Sequence, residues 1–257
     1  MLREIDKLVE GFQDTIKKSK EQCGDRLEEI RQLTFIVRIF FKSFMESLSL
    51  DKEYRVKVGS SLALVCLTEL ARISGHIVFF AYNGLYRNAF GNIRYALESI
   101  VQALYIDHRH PKTPLETKIE ILKEVEEKME YRATNLIGKL EISHKRKLKG
   151  QLRREYAKLS QMIHPSHKQI IATLDDLKDE DKGVPVTIDC EEIARIHDSM
   201  RIMYDIFFFL FVDYFPELKE ALKENSDAIE CIKDFNLTLL SKALKVRLYK
   251  SSRKDSS

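Results

Sequence analysis

Helix-breaking residues are scarce in this chain, and their scarcity limits the folds open to it. The 257 residues include only 9 glycines and 5 prolines, far fewer turn-forming residues than a loop-rich β-sandwich or a collagen-like repeat requires. Apolar residues recur with helical spacing along most of the chain, and 44% of the residues are hydrophobic, which is enough for a core. The sequence therefore predicts an all-α fold, a multi-helix bundle with long central antiparallel helices.

Local patterns predict where the helices begin and end. Helices are predicted at 2–22, 25–49, 52–82, 85–106, 114–139, 145–163, 190–214 and 226–250, with a short acidic helix before the last one. Asp25 has the position of an N-cap for the second helix, and Asp189 with Glu192 has the spacing of a capping box for the helix at 190–214. Residues 62–80 are apolar on most sides, which predicts a central helix packed all round.

The domain organisation is predicted to be simple. A single helical domain over 1–257 accounts for the pattern, and a second domain, if present, would begin near 108–114. Residues 1–22 are predicted as a peripheral helix and 242–257 as a basic, flexible tail. The clearest loop is predicted at 175–186, where acidic residues, glycine and proline concentrate.

Basic residues concentrate in two segments, although the formal net charge of the whole chain is only +3. The tail contains six basic residues and one acidic residue, Asp255. The segment 143–154 contains no acidic residue and six basic ones, which are Lys145, Arg146, Lys147, Lys149, Arg153 and Arg154. Such runs are either solvated faces or sites for phosphate groups, so nucleic acid is one candidate partner.

The helix predicted at 85–106 carries polar residues on a face where a core helix is normally apolar. Five residues at intervals of three and four, beginning just before this helix, form one stripe: Gly84, Arg87, Gly91, Arg94 and Glu98. A glycine inside a helix costs about 0.5–1 kcal/mol relative to alanine. The two glycines therefore predict that a neighbouring element or a ligand approaches this backbone closely.

A second polar row lies at the end of the helix at 145–163. Tyr156, Ser160 and His164 are spaced by four, which places two hydroxyl groups and an imidazole on one face. We expect this row to pack against the stripe and to form a site with it. The same groups also fit a polar network with a purely structural role and no catalytic or binding function, because buried ions are retained when they are paired and hydrogen-bonded.

The residues of the expected site have two sets of roles. The candidate catalytic residues are Arg94, Glu98 and His164. The candidate binding residues are Arg87, Tyr156, Ser160, Lys145, Arg146, Lys147, Arg153 and Arg154. In this hypothesis the basic residues contact phosphates and a tyrosine is available to stack on a base.

Two of these patterns resemble motifs of a group of uncharacterised prokaryotic helical proteins. The patterns are Arg94-Tyr-Ala-Leu-Glu98 in a core helix and Tyr156-Ala-Lys-Leu-Ser160-Gln-Met-Ile-His164-Pro165 at a helix end. The resemblance covers roughly residues 60–216, and the group is in turn similar to HEPN-type bundles, many of which are ribonucleases or toxins. HEPN motifs separate an arginine from a histidine by four to six residues. Here the nearest pairs are Arg72 with His76, whose spacing is too short, and Lys158 with His164, in which lysine replaces arginine.

No motif in the sequence predicts a cofactor or a metal site. The four cysteines are far apart and form no CxxC pair: Cys23, Cys66, Cys190 and Cys231. Glu141 and His144 match one Glu-x-x-His unit, but di-iron bundles need two such units and two further carboxylates. The N-terminal residues lack a secretory signal, and the most apolar run, Ile206–Val212, is much shorter than a membrane span. A cytoplasmic protein without a membrane span is therefore predicted.

Three functional hypotheses follow from these patterns. The first is a binding or regulatory protein, associated with defence against mobile elements, that acts on nucleic acid through 143–154. The second is a divergent HEPN-like ribonuclease, in which His164 is the acid or base and Arg94 stabilises an anion. The third is an oligomerisation or interaction protein without catalysis, in which the apolar helix at 202–215 forms the interface between copies. These hypotheses leave both an enzyme and a non-catalytic protein open.

Overall fold

The computed structural model describes residues 2–48, 58–127, 133–142, 144–164 and 188–248. Within these ranges the chain forms ten α-helices and no strand, which confirms the predicted all-α multi-helix fold. The helices are α1 (Leu2–Ser47), α2 (Leu62–Tyr82), α3 (Tyr86–Arg109), α4 (Leu115–Glu127), α5 (Ala133–Leu136), α6 (Lys145–Ile163), α7 (Cys190–Tyr214), α8 (Leu218–Glu224), α9 (Ser226–Asp234) and α10 (Thr238–Leu244). The loop predicted at 175–186, Pro165 and the tail beyond residue 248 lie outside the described ranges.

The centre of the core is occupied by α7. Every residue from Met203 to Val212 is buried, as expected for a helix that is apolar on all sides. The ring of Phe208 stacks on Phe40 of α1 with the centroids 4.1 Å apart, and Phe211 packs edge-on against Phe44 of α1. The prediction that the apolar part of α7 forms an interface with another copy is therefore wrong, because these side chains already fill the interior.

The second apolar helix, α2, has a different position from the one predicted for it. The Val65 side chain is 46% exposed and that of Phe79 is 52% exposed, so α2 is not packed all round and one of its faces meets solvent. By length and composition alone its 21 residues would suffice to cross a membrane, with a mean hydropathy of 1.6 over the most apolar stretch. The same test is passed by core helices of proteins that never enter a bilayer, and 39% of this stretch is buried.

Several helix boundaries differ from the predicted ones. The helices predicted at 2–22 and 25–49 are joined in α1, and the non-helical backbone between them lies at Cys23 (φ −131°, ψ 26°), inside the predicted gap. Asp25 is itself within α1 instead of preceding a helix as its N-cap. The predicted helix at 226–250 is instead divided into α9 and α10, because Asn236 adopts a left-handed conformation (φ 50°) between them. The ranges of α6 and α7 match the predicted 145–163 and 190–214.

Half of the predicted capping box is present at the start of α7. Asp189 caps the helix, because its carboxylate accepts hydrogen bonds from the amides of Glu191 and Glu192. The carboxylate of Glu192 does not return to the Asp189 amide; it pairs with Arg195 at 2.7 Å. The Asp189 amide donates instead to the hydroxyl of Tyr86, which ties the start of α7 to the start of α3.

A buried aspartate connects α3 to the start of α2. Asp107 is completely buried and accepts hydrogen bonds from the Ser61 hydroxyl and from the amides of Leu62 and Ala63, so it caps α2 from a distant part of the chain. The ammonium group of Lys118, from α4, lies 2.8 Å from the same carboxylate and is also buried. Asp107 thereby holds three helices together.

A second buried aspartate, Asp205 of α7, caps α10. Its carboxylate accepts hydrogen bonds from the amides of Leu239 and Leu240 and from the Thr238 hydroxyl. Burial raises the pKa of Asp205 above its ordinary value, although these hydrogen bonds partly oppose the rise. This contact places the C-terminal helix beside α7.

Candidate functional site

Packing of α3 against α6 brings together four of the residues predicted for the site. The Arg94 guanidinium donates to the Ser160 hydroxyl at 3.3 Å, lies 3.5 Å from the Glu98 carboxylate, and stacks 4.6 Å above the Tyr156 ring. The stripe on α3 and the polar row on α6 therefore face each other. We refer to Arg94, Glu98, Tyr156 and Ser160 as the Arg94 cluster.

The Arg94 cluster opens to solvent on one side. The side chains of Arg94 and Glu98 are 28% and 29% exposed, so water and small ions reach both charges. Both polar contacts of the guanidinium are at the long end of the hydrogen-bond range. Arg94 is therefore held loosely by its protein partners and has donor capacity for an incoming anion.

The site also contains two buried polar groups that lack hydrogen-bond partners among the described residues. The hydroxyl of Tyr156 is buried and has no hydrogen-bond partner among the described residues, and the same holds for one carboxylate oxygen of Glu155. That oxygen lies 4.0 Å from the ammonium group of Lys158, which donates to the hydroxyl of Ser199 on α7. Because the Tyr156 ring is buried and covered by Arg94, the predicted stacking of Tyr156 on a base is wrong.

Glu155 is a buried polar residue of α6 that was not predicted as part of the site, although its position in the sequence contains a usable signal. Leu148, Leu152 and Leu159 share the buried face of α6, and position 155 falls on the same face at helical spacing. A carboxylate in an apolar row of this kind predicts a buried charge that needs a partner.

The remaining two predicted residues of the polar site lie apart from the Arg94 cluster. His164 is exposed at the end of α6, where its amide donates to the Ser160 carbonyl. Within the described part of the chain, its imidazole makes no hydrogen bond or ion pair with Arg94 or Glu98, so the predicted catalytic trio is not assembled. Arg87 is also exposed and lies two helical turns before Arg94 on α3.

The two glycines of the stripe lie in different surroundings, and at Gly91 the predicted close approach of a neighbouring element is wrong for the described residues. Gly84 precedes α3 and has a φ of 66°, a left-handed conformation that a turn residue other than glycine adopts only with strain. Gly91 is inside α3, but a Cβ atom added there would meet nothing within 4 Å among the described residues. No described element therefore approaches the backbone at Gly91, and the face between Arg87 and Arg94 is open at this point.

The N-terminal part of α6 presents the predicted basic segment to solvent. Arg146, Lys147, Arg153 and Arg154 are exposed, while Leu148 and Leu152 anchor the opposite side of the helix in the core. We call these four exposed cations, together with the half-buried Lys145 and Lys149, the basic face. Within the described ranges none of the six forms an ion pair with a carboxylate, so their charge is not neutralised by neighbouring residues.

The start of α6 adds to this positive potential. Its first turn contains three cations and no acidic residue, at the helix end where the backbone dipole is itself positive. The residue before it, His144, is left-handed (φ 50°) and provides no side-chain cap for the first amides. This arrangement opposes helix stability and favours contact with an anion.

The second basic segment meets the basic face at Lys147. The ammonium group of Lys242, the first basic residue of the predicted tail, lies close enough to Lys147 to lower the pKa of the Lys147 ammonium group below its ordinary value. Like charges on α6 and α10 are thus held together. The two segments that the sequence singled out separately therefore come close to each other at Lys147 and Lys242.

Neither a protein-family model nor a curated protein nor a solved structure matches this chain. The resemblance to HEPN-type bundles therefore stays a prediction. Among the described residues no group of three or more His, Cys, Asp or Glu side chains is placed to hold a metal ion. The Arg94 cluster and the basic face are therefore the two features of the described residues from which a function can be proposed.

Proposed function

We propose that this protein binds nucleic acid through the basic face of α6, chiefly by contacts to phosphate groups. The observation that carries the proposal is the set of exposed cations on one rigid helix without neutralising carboxylates among the described residues. Residues 146 to 154 span about 12 Å along the helix axis, which is long enough to follow several phosphates of one strand.

The energetics of the basic face also support an anionic partner. Cations in the first turn of a helix cost typically 0.3–1 kcal/mol each, because they oppose the helix dipole. The charge of Lys242, which lowers the pKa of the Lys147 ammonium group, adds repulsion between like charges. A bound polyanion removes both penalties, whereas a face that serves only for solubility gains nothing from bringing two ammonium groups together.

The proposed binding is insensitive to base sequence. The Tyr156 ring is covered by Arg94 and offers no free surface to a base. Contacts to phosphates position a strand but do not read its sequence. We therefore expect similar affinities for single strands of different sequence at equal length.

A binding measurement with two charge-matched variants tests the proposal. In the first variant Arg146, Lys147, Arg153 and Arg154 are changed to Gln; in the control Lys17, Lys18, Arg38 and Lys42, exposed on α1, are changed to Gln. Fluorescence anisotropy with a labelled 20-nucleotide RNA at 50 mM salt is expected to show at least tenfold weaker binding for the first variant and a smaller loss for the control. Equal losses, or no binding by the unmodified protein, would contradict the proposal.

A ribonuclease is the second candidate function, and one observation favours it. The Arg94 guanidinium contacts Ser160, one helical turn before His164, on the same helix that carries the basic face. An RNA strand that extends along α6 would bring a phosphate near both an arginine and an imidazole. Cleavage of RNA that is lost in His164→Ala but kept in the control His110→Ala, at a half-buried histidine outside α6, would support catalysis. Intact RNA after prolonged incubation with the unmodified protein would exclude it for that substrate.

A further inference from the structure

A disulfide joins two parts of the chain that are 167 residues apart. Cys23 lies at the backbone break in α1, and Cys190 is the first residue of α7. Their Cα atoms are 5.5 Å apart, within the normal range for a disulfide. The link therefore connects the point where α1 changes direction to the start of the central helix.

The two cysteines of the disulfide differ in their exposure to solvent. Cys23 is only 4% exposed, whereas Cys190 is an exposed residue. Burial raises the pKa of Cys66 to about 12 and that of Cys231 to about 11, so both thiols stay protonated and are poor nucleophiles. A thiol from solution can reach the disulfide at Cys190, and neither free cysteine competes for it.

Among the residues that the structure describes, few other contacts hold the part of α1 before the disulfide. We call residues 10–22 the N-terminal arm. The hydrophobic core contains no residue of this arm; among the described residues it begins at Cys23. The buried positions of the arm are Thr15 and Ser19, and Lys20 makes a cation–π contact with Tyr82 at 5.8 Å. Such contacts are individually weak, so the covalent link supplies much of the attachment.

We propose that the disulfide between Cys23 and Cys190 is a redox-operated clamp, which fixes the N-terminal arm when it is oxidised and releases the arm when it is reduced. The proposal is independent of nucleic-acid binding. It requires a dithiol as the reductant and a disulfide such as oxidised glutathione as the oxidant.

The reduction occurs in two exchange steps. A thiolate of the dithiol attacks the sulfur of Cys190, the exposed cysteine of the pair. The bond between the two cysteines breaks, and its electron pair leaves on the sulfur of Cys23, which takes up a proton. The second thiolate of the reductant then attacks the first sulfur of the reductant, which is bonded to Cys190 in the mixed disulfide. This step displaces the sulfur of Cys190, which also takes up a proton. The protein gains two electrons and two protons, and the dithiol becomes a disulfide.

Hydrogen exchange on the full chain tests the clamp. Amide exchange in the N-terminal arm is expected to rise at least tenfold when dithiothreitol is added, and to return to its original rate when oxidised glutathione replaces the reductant. Exchange in Met203–Val212 of α7 is expected to stay unchanged, since these residues lie in the core. Cys190→Ser is expected to show the fast rate without reductant, while Cys66→Ser keeps the full response to dithiothreitol.

Two results would overturn the proposal. Peptide mapping without reductant that finds all four cysteines open to alkylation after unfolding would show that no disulfide forms. Equal exchange rates in the N-terminal arm with and without dithiothreitol, in a protein whose disulfide is demonstrably broken by the reagent, would show that the link does not hold the arm. The second comparison uses the unmodified protein, so it remains decisive if Cys190→Ser does not fold.

Discussion

Two polar clusters in this molecule contain an acid and a base, yet they are built in opposite ways. Around Asp107, every described group is buried and paired: the carboxylate accepts from Ser61, from two amides and from Lys118. Around Arg94, the charges are partly exposed, their contacts are long, and the Tyr156 hydroxyl beneath them has no described partner.

The difference separates a structural role from a functional one. A buried ion pair with all its hydrogen bonds made fixes the arrangement of helices, and its geometry leaves no donor for a ligand. A loosely paired arginine at the surface adds little stability and keeps donor capacity for an anion. The cluster at Asp107 therefore serves the architecture, whereas the Arg94 cluster keeps the free donors that the proposed ribonuclease function requires.

The largest effect is expected from breaking the closed cluster. Lys118→Met removes the cation and leaves the Asp107 carboxylate buried without its charged partner. We expect a loss of about 3–5 kcal/mol in the free energy of unfolding, measured by urea denaturation. Adding Asp107→Asn to the same variant should recover part of the loss. A loss below about 1 kcal/mol would mean that the pair is not the structural link we describe.

The next largest changes in stability are expected at two buried tyrosines, and they should have opposite signs. The Tyr204 hydroxyl donates to Ser74 at 2.6 Å, whereas the hydroxyl of Tyr156 has no described partner. We expect Tyr204→Phe to destabilise the protein by about 1 kcal/mol and Tyr156→Phe to stabilise it by a similar amount, because an unsatisfied buried hydroxyl is costly. Thermal unfolding of both variants measures the difference. Destabilisation by Tyr156→Phe would indicate that the hydroxyl has a partner in solution.

A smaller gain is expected at the open face of α3. Gly91→Ala has space for its methyl group and should stabilise the helix by about 0.5–1 kcal/mol. Gly75→Ala in α2, where a Cβ atom is equally unobstructed, should give a similar gain and serves as the control. Both are measured by thermal unfolding. A loss of stability at Gly91 alone would show that something packs against this backbone after all.

The smallest change in stability is expected for Arg94 itself. Because its contacts are partly exposed, Arg94→Ala should lower the free energy of unfolding by less than about 1 kcal/mol. Arg31→Ala, which removes an exposed ion pair with Glu28 on α1, should cost about the same. If the Arg94 cluster is functional, affinity for RNA falls only in Arg94→Ala, as anisotropy would measure. Loss of folding in Arg94→Ala would favour the structural network instead.

Local patterns were sufficient to predict much of the fold. The scarcity of glycine and proline predicts the helical class, and charge and apolar spacing predict the ranges of α6 and α7 and the cap at Asp189. The polar rows on α3 and α6 were also predictable, because residues three and four apart share one helix face.

What could not be predicted depends on contacts between distant residues. Both α2 and α7 are strongly apolar, and only packing decides that α7 is central while one face of α2 is exposed. Asp107 lies in a charged segment that looks solvated, but its partners Ser61 and Lys118 are 46 and 11 residues away. The pairing of Cys23 with Cys190 spans 167 residues, and no local spacing indicates it.

The salt dependence of RNA binding tests the central claim most directly. For a single strand, the slope of log affinity against log salt concentration reports about 0.7 per phosphate contact. We predict a steep negative slope for the unmodified protein, and a slope shallower by up to about 3 when Arg146, Lys147, Arg153 and Arg154 are all changed to Gln. The same slope in both proteins would contradict the assignment of nucleic-acid binding to the basic face of α6.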